Sequence, residues 1–160
     1  MRDLSPIGKK WTEVNSMSTC RLYLAGPLFN SAEREHCVRL QLVLSEKFEV
    51  YVPHIDGNLL PNLIDTGLPV QIARKAVFDD DIRAIRACDM LLIILNGRVV
   101  DEGAAFELGV AWSLGKACFG YKDDFRQLVA SGDNPMIEGA LQKVFHSVDE
   151  LKEWVKSFEV

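Results

Sequence analysis

The hydrophobic and polar positions of the chain alternate between two kinds of segment. Short apolar runs bounded by glycine, proline, asparagine or charged residues are typical of β-strands. They cover residues 20–25, 48–52, 89–95, 116–121 and 144–145. The run at 89–95 is apolar after its first residue, as expected for a central parallel strand that is covered on both faces. The pattern therefore predicts five strands, with the third near the middle of a sheet.

Helical periodicity fills the intervals between these runs. Asn30, with Glu33 three residues later, predicts a capping box at the start of the first helix. The apolar face of that helix is expected to hold Cys37, Leu40, Leu42 and Leu44.

Further helices are predicted over 70–88 and 103–114, the second of them ended by Gly115. Residues 122–141 are expected to contain a short helix and a loop at 131–135, and Ser147 with Glu150 predicts a capped terminal helix. Strict alternation of strand and helix predicts an α/β fold, a parallel sheet with helices on both faces.

The segments that follow the strands are the places to look for a site, because ligands bind beyond the carboxyl ends of parallel strands. These segments are 26–30, 53–69, 96–103 and 121–135. The second is rich in Pro, Gly, Asn and Asp, so it is predicted to be one long loop. Loops of that length in a compact domain are usually functional or mobile.

Length and composition narrow the class of protein. A chain of 160 residues predicts one domain, 20–160, preceded by a flexible extension at 1–19, and Met1 and Met17 are both candidate natural starts. The net charge of −5, without a basic block, argues against binding to nucleic acid or to an anionic membrane surface. No apolar run reaches the roughly 18–20 residues that span a bilayer. We therefore expect a cytoplasmic protein.

Several common sites are absent from the sequence. The four cysteines form no CxxC pair, which argues against zinc. The GxGxxG and GxxxxGK[ST] spacings are absent, which argues against dinucleotide and P-loop sites. None of the three histidines is paired with a serine or cysteine in a nucleophile motif.

Glu107 is the residue that fits a structural role least well. It is the only charged residue in the run from 103 to 115, which predicts a helix that is apolar nearly all round and therefore buried. A buried carboxylate is costly unless it is paired. It could be a structural ion-pair partner or a catalytic carboxylate, and the nearby helix N-terminus is expected to favour its ionised form.

Three more residues have both a structural and a catalytic interpretation. Asp101 could be a turn or cap residue, or it could share the rim of a site with Glu107. Asp81 belongs to a run of acids that could be solvated, but helical spacing places it toward the apolar side, where a carboxyl should have a raised pKa and suit general-acid work. Tyr23 could be core packing, or its hydroxyl could reach a carboxylate at the rim.

Three segments together resemble the signature motifs of the nucleoside 2-deoxyribosyltransferase family. They are YLAGPLF at 23–29, DIRAIRACD at 81–89 and DEGAAFELG at 101–109. Their order and spacing match, and the similarity covers roughly residues 20–146. The resemblance implies a doubly wound, five-stranded parallel sheet of the Rossmann or flavodoxin type, which agrees with the alternation above.

The resemblance also implies the chemistry of the site. Glu107 would be the nucleophile that attacks C1′ of a 2′-deoxynucleoside, Tyr23 would orient it, and Asp81 and Asp101 would bind the nucleobase and move its proton. The substrates would be 2′-deoxynucleosides and free purine or pyrimidine bases, with no metal and no organic cofactor. Further residues placed at the substrate are Gly26, Pro27, Phe29, Asn134 and Met136.

The resemblance also implies a homo-oligomer, in which Asn134 would reach the sugar bound in the site of a neighbouring subunit. Trp112 on a helix that is apolar all round agrees with such an interface, since a chain of this length has difficulty covering every face.

Two other functions remain open at this point. Related hydrolases cleave the N-glycosidic bond of nucleoside or deoxynucleoside 5′-monophosphates. They typically have serine and arginine after the first strand, where this chain has Pro27, Leu28 and Phe29 without a cation, although Arg34, Arg74, Lys75 and Arg98 keep phosphate binding open. A non-catalytic nucleotide-binding module is the remaining alternative.

Overall fold

A computed structural model describes residues 19–126 and 132–159. The predicted extension at 1–19 lies outside these ranges except for its last residue. Residues 127–131, in the segment expected to hold a short helix and a loop, also lie outside them.

Five parallel strands form a single sheet, as predicted. They are β1 (Arg21–Ala25), β2 (Glu49–Tyr51), β3 (Met90–Ile94), β4 (Ala117–Tyr121) and β5 (Lys143–Phe145). Their order is β2-β1-β3-β4-β5, and every neighbouring pair is parallel. The chain therefore winds outward in opposite directions from β1 and β3. This is the doubly wound arrangement, in which the ligand-binding crevice lies at the point where the direction reverses.

Helices cover both faces of this sheet. They are α1 (Ser31–Leu44), α2 (Pro53–Asp56), α3 (Leu60–Asp65), α4 (Val70–Ala87), α5 (Glu102–Ser113), α6 (Pro135–Glu138) and α7 (Val148–Ser157). The capping box of Asn30 and Glu33 is confirmed. In the described ranges no helix is long and apolar enough to cross a membrane.

The prediction of one long loop at 53–69 is wrong, because the segment contains the two short helices α2 and α3. Each has a proline in its first turn, where the missing N–H costs no hydrogen bond and the fixed φ favours the helix. The prolines that suggested a loop are therefore helix starts.

The core consists of two apolar layers, one on each face of the sheet. One lies under α1 and α7, and the other under α4 and α5. Leu42 was expected in the first layer, but it is 68% exposed. The buried residues of α1 are Cys37, Leu40, Val43 and Leu44. At 3.6 residues per turn, Leu42 points away from that stripe.

The expectation that α5 is buried all round is also wrong. Its buried side chains are Ala104, Leu108 and Ala111, whereas Phe106 and Trp112 are 56% and 60% exposed. One face of α5 thus packs on the sheet, and another presents large apolar side chains to the surface of the single chain.

Candidate active site

Two tyrosines lie side by side where the sheet changes direction. Tyr23 of β1 is in register with Tyr51 of β2 and with Leu91 of β3, so the three side chains point to the same face of the sheet. The rings of Tyr23 and Tyr51 stack with centroids 5.3 Å apart. They form a rigid, buried floor beneath α4 and α5.

Glu107 is held against this floor. The Oη of Tyr23 donates a hydrogen bond of 2.7 Å to Oε1 of Glu107, although the two residues are 84 positions apart in the chain. The bond leaves Oε2 of the carboxylate available for another contact. The structure therefore brings together the two residues for which the sequence suggested a nucleophile and its orienting group.

Burial controls the charge of Glu107. The pKa of Glu107 is raised to about 8, mainly because burial removes solvation; the hydrogen bond from Tyr23 opposes this raise, and the nearby charges of Asp81 and Asp101 contribute to it. The sequence predicts that the helix N-terminus favours the ionised form of Glu107, and burial acts in the opposite direction. Glu107 is the sixth residue of α5, beyond the first turn in which a helix dipole acts strongly.

Asp81 reaches the same place from α4. Burial and then the charge of Asp80 raise the pKa of Asp81 to about 6, as its predicted position toward the apolar side of the helix implied. The charge of Asp81 acts on Glu107 and on both floor tyrosines. The site thus holds two carboxyl groups whose pKa values lie on either side of neutrality.

The two acids that precede Asp81 on α4 are both paired with cations of the same helix. Lys75 binds Asp79 at 2.6 Å, and Arg83 binds Asp80 at 2.6 Å.

Asp101 has the structural role that the sequence allowed. It is the N-cap of α5, and its Oδ1 accepts a hydrogen bond of 2.8 Å from the N–H of Ala104. It still lies close enough to raise the pKa of Glu107. The cap fixes Asp101 at the rim of the site, with its second oxygen available to a ligand.

The loop after β1 holds three residues of the predicted substrate set. Gly26 is buried, and a Cβ there would lie 2.9 Å from Cδ1 of Ile94, so this glycine allows β1 and β3 to approach each other. Pro27 is half-buried, while Phe29 is almost fully exposed. Among the described residues no hydrogen bond joins Phe29 to Glu107: the N–H of Phe29 donates to Glu33, and Glu107 accepts from Tyr23.

Asn134 and Met136 lie on the other side of α5. Asn134 is the N-cap of α6, and Met136 is 83% exposed. Met136 lines an apolar groove of about 380 Å³ together with Ala105, Gly109 and Trp112. Since Ala105 and Gly109 stand two positions on either side of Glu107, they face away from it. Within one chain the structure therefore does not bring Asn134 or Met136 to the nucleophile.

Two parts of this site were not found in the sequence. Tyr51 looked like an ordinary strand residue, and its matching position with Tyr23 in the next strand was the available signal. Asn58 lay in the segment predicted to be a loop, yet its Nδ2 donates a hydrogen bond to Oδ2 of Asp80. In the described part of the chain, no group of three or more His, Cys, Asp and Glu side chains is arranged to hold a metal ion.

Comparison with known proteins identifies a family for the sequence. The model of the nucleoside 2-deoxyribosyltransferase family matches residues 22–151. No curated protein matches the chain.

Solved structures share the fold. A conserved protein from Enterococcus faecalis V583 is 23% identical, with 87% of this chain and 98% of that chain covered and a TM-score of 0.72. A 2-deoxyribosyltransferase from the psychrotolerant bacterium Bacillus psychrosaccharolyticus is 23% identical, with 88% and 93% covered and a TM-score of 0.67. The CMP N-glycosidase BcmB of Clostridium botulinum is 18% identical, with 85% and 96% covered and a TM-score of 0.51. At these identities the likeness concerns the fold, whereas the family match spans most of the sequence. The chain belongs to the nucleoside 2-deoxyribosyltransferase family.

Proposed function

We propose that this protein transfers 2-deoxyribose from one nucleobase to another by a double displacement through a glycosyl-enzyme on Glu107. The observation that supports this most strongly is the 2.7 Å hydrogen bond from Tyr23 to one carboxylate oxygen of Glu107, with Asp81 next to both residues. Cleavage of a glycosidic bond needs an anion on one face of the sugar and a proton donor at the leaving group.

In the first displacement, the available oxygen of Glu107 attacks C1′. The bond from C1′ to the base nitrogen breaks, its electron pair stays on the base, and a carboxylic acid at the rim, Asp81 or Asp101, supplies the proton. In the second displacement, a nitrogen of the incoming base attacks C1′ and the ester bond to Glu107 breaks. The proton of the incoming base returns to the carboxylate, so the site ends as it began.

The electrostatics of the ligand-free site suit this cycle. Because two neighbouring carboxyl groups resist ionising together, the site retains a proton near neutral pH. Burial places that proton preferentially on Glu107, while the chemistry needs it on the acid beside the base. The hydrogen bond from Tyr23 favours the carboxylate form of Glu107. It therefore favours moving the proton from Glu107 to the acid beside the base.

A 2′-deoxynucleoside is the proposed donor, because the missing 2′-hydroxyl makes the oxocarbenium-like state easier to reach. A free purine or pyrimidine base is the proposed acceptor. Gly26, Pro27 and Phe29 are the proposed substrate contacts from the loop after β1.

The second copy of the chain is the proposed source of Asn134 and Met136. In their own chain both residues lie on the side of α5 away from Glu107: Met136 lines the groove of Ala105, Gly109 and Trp112, and Asn134 lines a second pocket beside Ala105. Association through this apolar face would cover Phe106 and Trp112 and would allow each site to take its sugar contacts from a neighbour.

Hydrolysis of a nucleoside 5′-monophosphate is the second candidate. One observation favours it: Nη1 of Arg34 donates a 2.8 Å hydrogen bond to the carbonyl oxygen of Leu28. A cation therefore lies against the loop after β1, although the sequence of that loop has none. In this alternative, water takes the place of the incoming base.

Product analysis distinguishes these functions. The protein is incubated with deoxyinosine or thymidine, with and without adenine, and in parallel with the corresponding 5′-monophosphates. A new deoxynucleoside that forms only with adenine supports the transferase. Free sugar phosphate from the monophosphates alone supports the hydrolase, and no turnover of any substrate supports a binding module.

A further inference from the structure

One carboxylate beside the site is held from two directions. Oδ2 of Asp80 accepts the hydrogen bond from Nδ2 of Asn58, and Oδ1 accepts one of 2.6 Å from Nη1 of Arg83. The side chain of Asp80 is 19% exposed, compared with 45% for its neighbour Asp79. Asp79 pairs with Lys75 on the outer surface of α4. Asp80 is therefore fixed in a way that Asp79 is not.

The bond from Asn58 joins α4 to the segment between α2 and α3. Gly57, the preceding residue, lies against the floor, because a Cβ there would be 2.6 Å from Oη of Tyr51. Asp56 fixes the start of the same segment by accepting a 2.9 Å hydrogen bond from the N–H of Val52. This segment thus reaches from the floor tyrosines to the residue next to Asp81.

We propose that Asp80, clamped by Asn58 and Arg83, is a positioning residue: the clamp holds α4 against the segment between α2 and α3 beside Asp81, and the charge of Asp80 helps to keep a proton on Asp81 for transfer to the leaving base. The proposal rests on the proposed function, since it assumes that Asp81 moves that proton. Asp80 is not a catalytic residue, because its two oxygens are already occupied by protein donors.

The surroundings of Asp81 agree with this role. Electrostatic interactions link Asp81 to Tyr23 of β1, Tyr51 of β2, Glu107 of α5 and Asp80 on its own helix. Apart from burial, the charge of Asp80 is the cause that raises the pKa of Asp81. A negative charge favours the neutral form of a neighbouring carboxyl group.

Two substitutions should therefore shift Asp81 in opposite directions. Asp80→Asn removes the charge but keeps the shape, and Asn58 can turn its amide to present an oxygen to the new NH₂ group. Arg83→Met leaves the charge of Asp80 without its partner. Burial is the larger of the two causes that raise the pKa of Asp81 from 3.8 to about 6, so removing the charge of Asp80 in Asp80→Asn should lower that pKa by about 1 unit or less. Arg83→Met should raise it by a smaller amount, because Arg83 is largely exposed.

The test measures first the titration of Asp81 and then the pH dependence of activity. The ¹³C carboxyl resonance of Asp81 is titrated in the ligand-free wild type and in Asp80→Asn, Arg83→Met and the control Asp79→Asn. The pH profile of base release from a deoxynucleoside is then measured for the same four proteins. We expect the pKa of Asp81 to fall in Asp80→Asn, to rise in Arg83→Met and to stay unchanged in Asp79→Asn. The pH at which activity falls as Asp81 loses its proton should shift in the same direction in each variant.

Three results would decide against the proposal or its premise. An unchanged titration of Asp81 in Asp80→Asn overturns the influence of Asp80. A shifted titration with an unmoved pH profile in an active enzyme overturns its role in catalysis. If Asp81→Asn has the wild-type profile, or if no substrate turns over, the proposed function fails, whereas the titration still reports on Asp80 by itself.

Discussion

Replacing Glu107 by glutamine should make the protein more stable, and increasingly so as the pH rises. The amide keeps the shape of the side chain and an oxygen that can accept the hydrogen bond from Tyr23. It removes the group whose ionisation burial opposes. The proposed chemistry requires a carboxylate at this position, and such conflicts between stability and function are common.

The pH window follows from the pKa of Glu107 in the two states. In the unfolded chain the group titrates near 4.5, and in the folded chain its pKa is raised to about 8. Between these values the folded protein binds more protons than the unfolded chain, so the free energy of unfolding falls as the pH rises. Below pH 4.5 and above pH 8, Glu107 no longer makes the free energy of unfolding depend on pH.

The raised pKa of Glu107 sets an upper limit on the stability that the wild type loses. Each unit of pKa corresponds to about 1.4 kcal/mol, so above pH 8 the free energy of unfolding would be lower by at most about 5 kcal/mol. Because Glu107 is only partly buried, we expect roughly half of that, about 2 to 3 kcal/mol.

Urea unfolding of wild type and Glu107→Gln at several pH values from 5 to 8.5 measures this effect. The difference between the two free energies of unfolding should be small at pH 5 and should grow to its full size near pH 8. Glu102→Gln, an exposed change on the same helix, is the matched control and should follow the wild type. A difference between wild type and Glu107→Gln that does not vary with pH would refute the reasoning.

Three further predictions concern catalysis. Tyr23→Phe should reduce kcat by about 10- to 100-fold, because a hydrogen bond to a charged group is worth roughly 1.5 to 3 kcal/mol; an unchanged pH profile would contradict its action on Glu107. Asp81→Asn should bind the free base nearly as well as the wild type but lose about 10²-fold or more in turnover, and wild-type turnover would move the proton transfer to Asp101 or to solvent. Mixed oligomers of Glu107→Ala and Asn134→Ala should regain activity that neither variant has alone, whereas a fully active monomer by light scattering would exclude shared sites.

Local signals in the sequence predicted most of the fold. The capping box at Asn30 depends on residues three positions apart, and Gly115 adopts the positive φ of 72° that ends a helix. Both signals need no knowledge of distant contacts. The segment 53–69 was misread because its prolines are equally compatible with a turn or a helix start. The contact that holds it, Asn58 with Asp80, joins residues 22 positions apart.

The site shows the same division between local and distant information. Glu107 stands out because it is a lone charge on an apolar helix, and helical spacing places Asp81 on the inner side of α4. The charge state of Glu107 could not be read in this way, because it depends on how deeply α5 packs against the sheet. The exposed face of α5 was likewise hidden, since a uniformly apolar helix does not reveal which side meets the sheet.

The most direct measurement is to trap the glycosyl-enzyme. A 2′-fluoro-2′-deoxynucleoside should react slowly, because fluorine destabilises the oxocarbenium-like state, and intact-mass analysis should then show the wild type heavier by one fluorinated sugar. Peptide mapping should place the adduct on Glu107, and Glu107→Ala should remain unlabelled. An adduct on any other residue, or base exchange by the Glu107→Ala variant, would contradict the account.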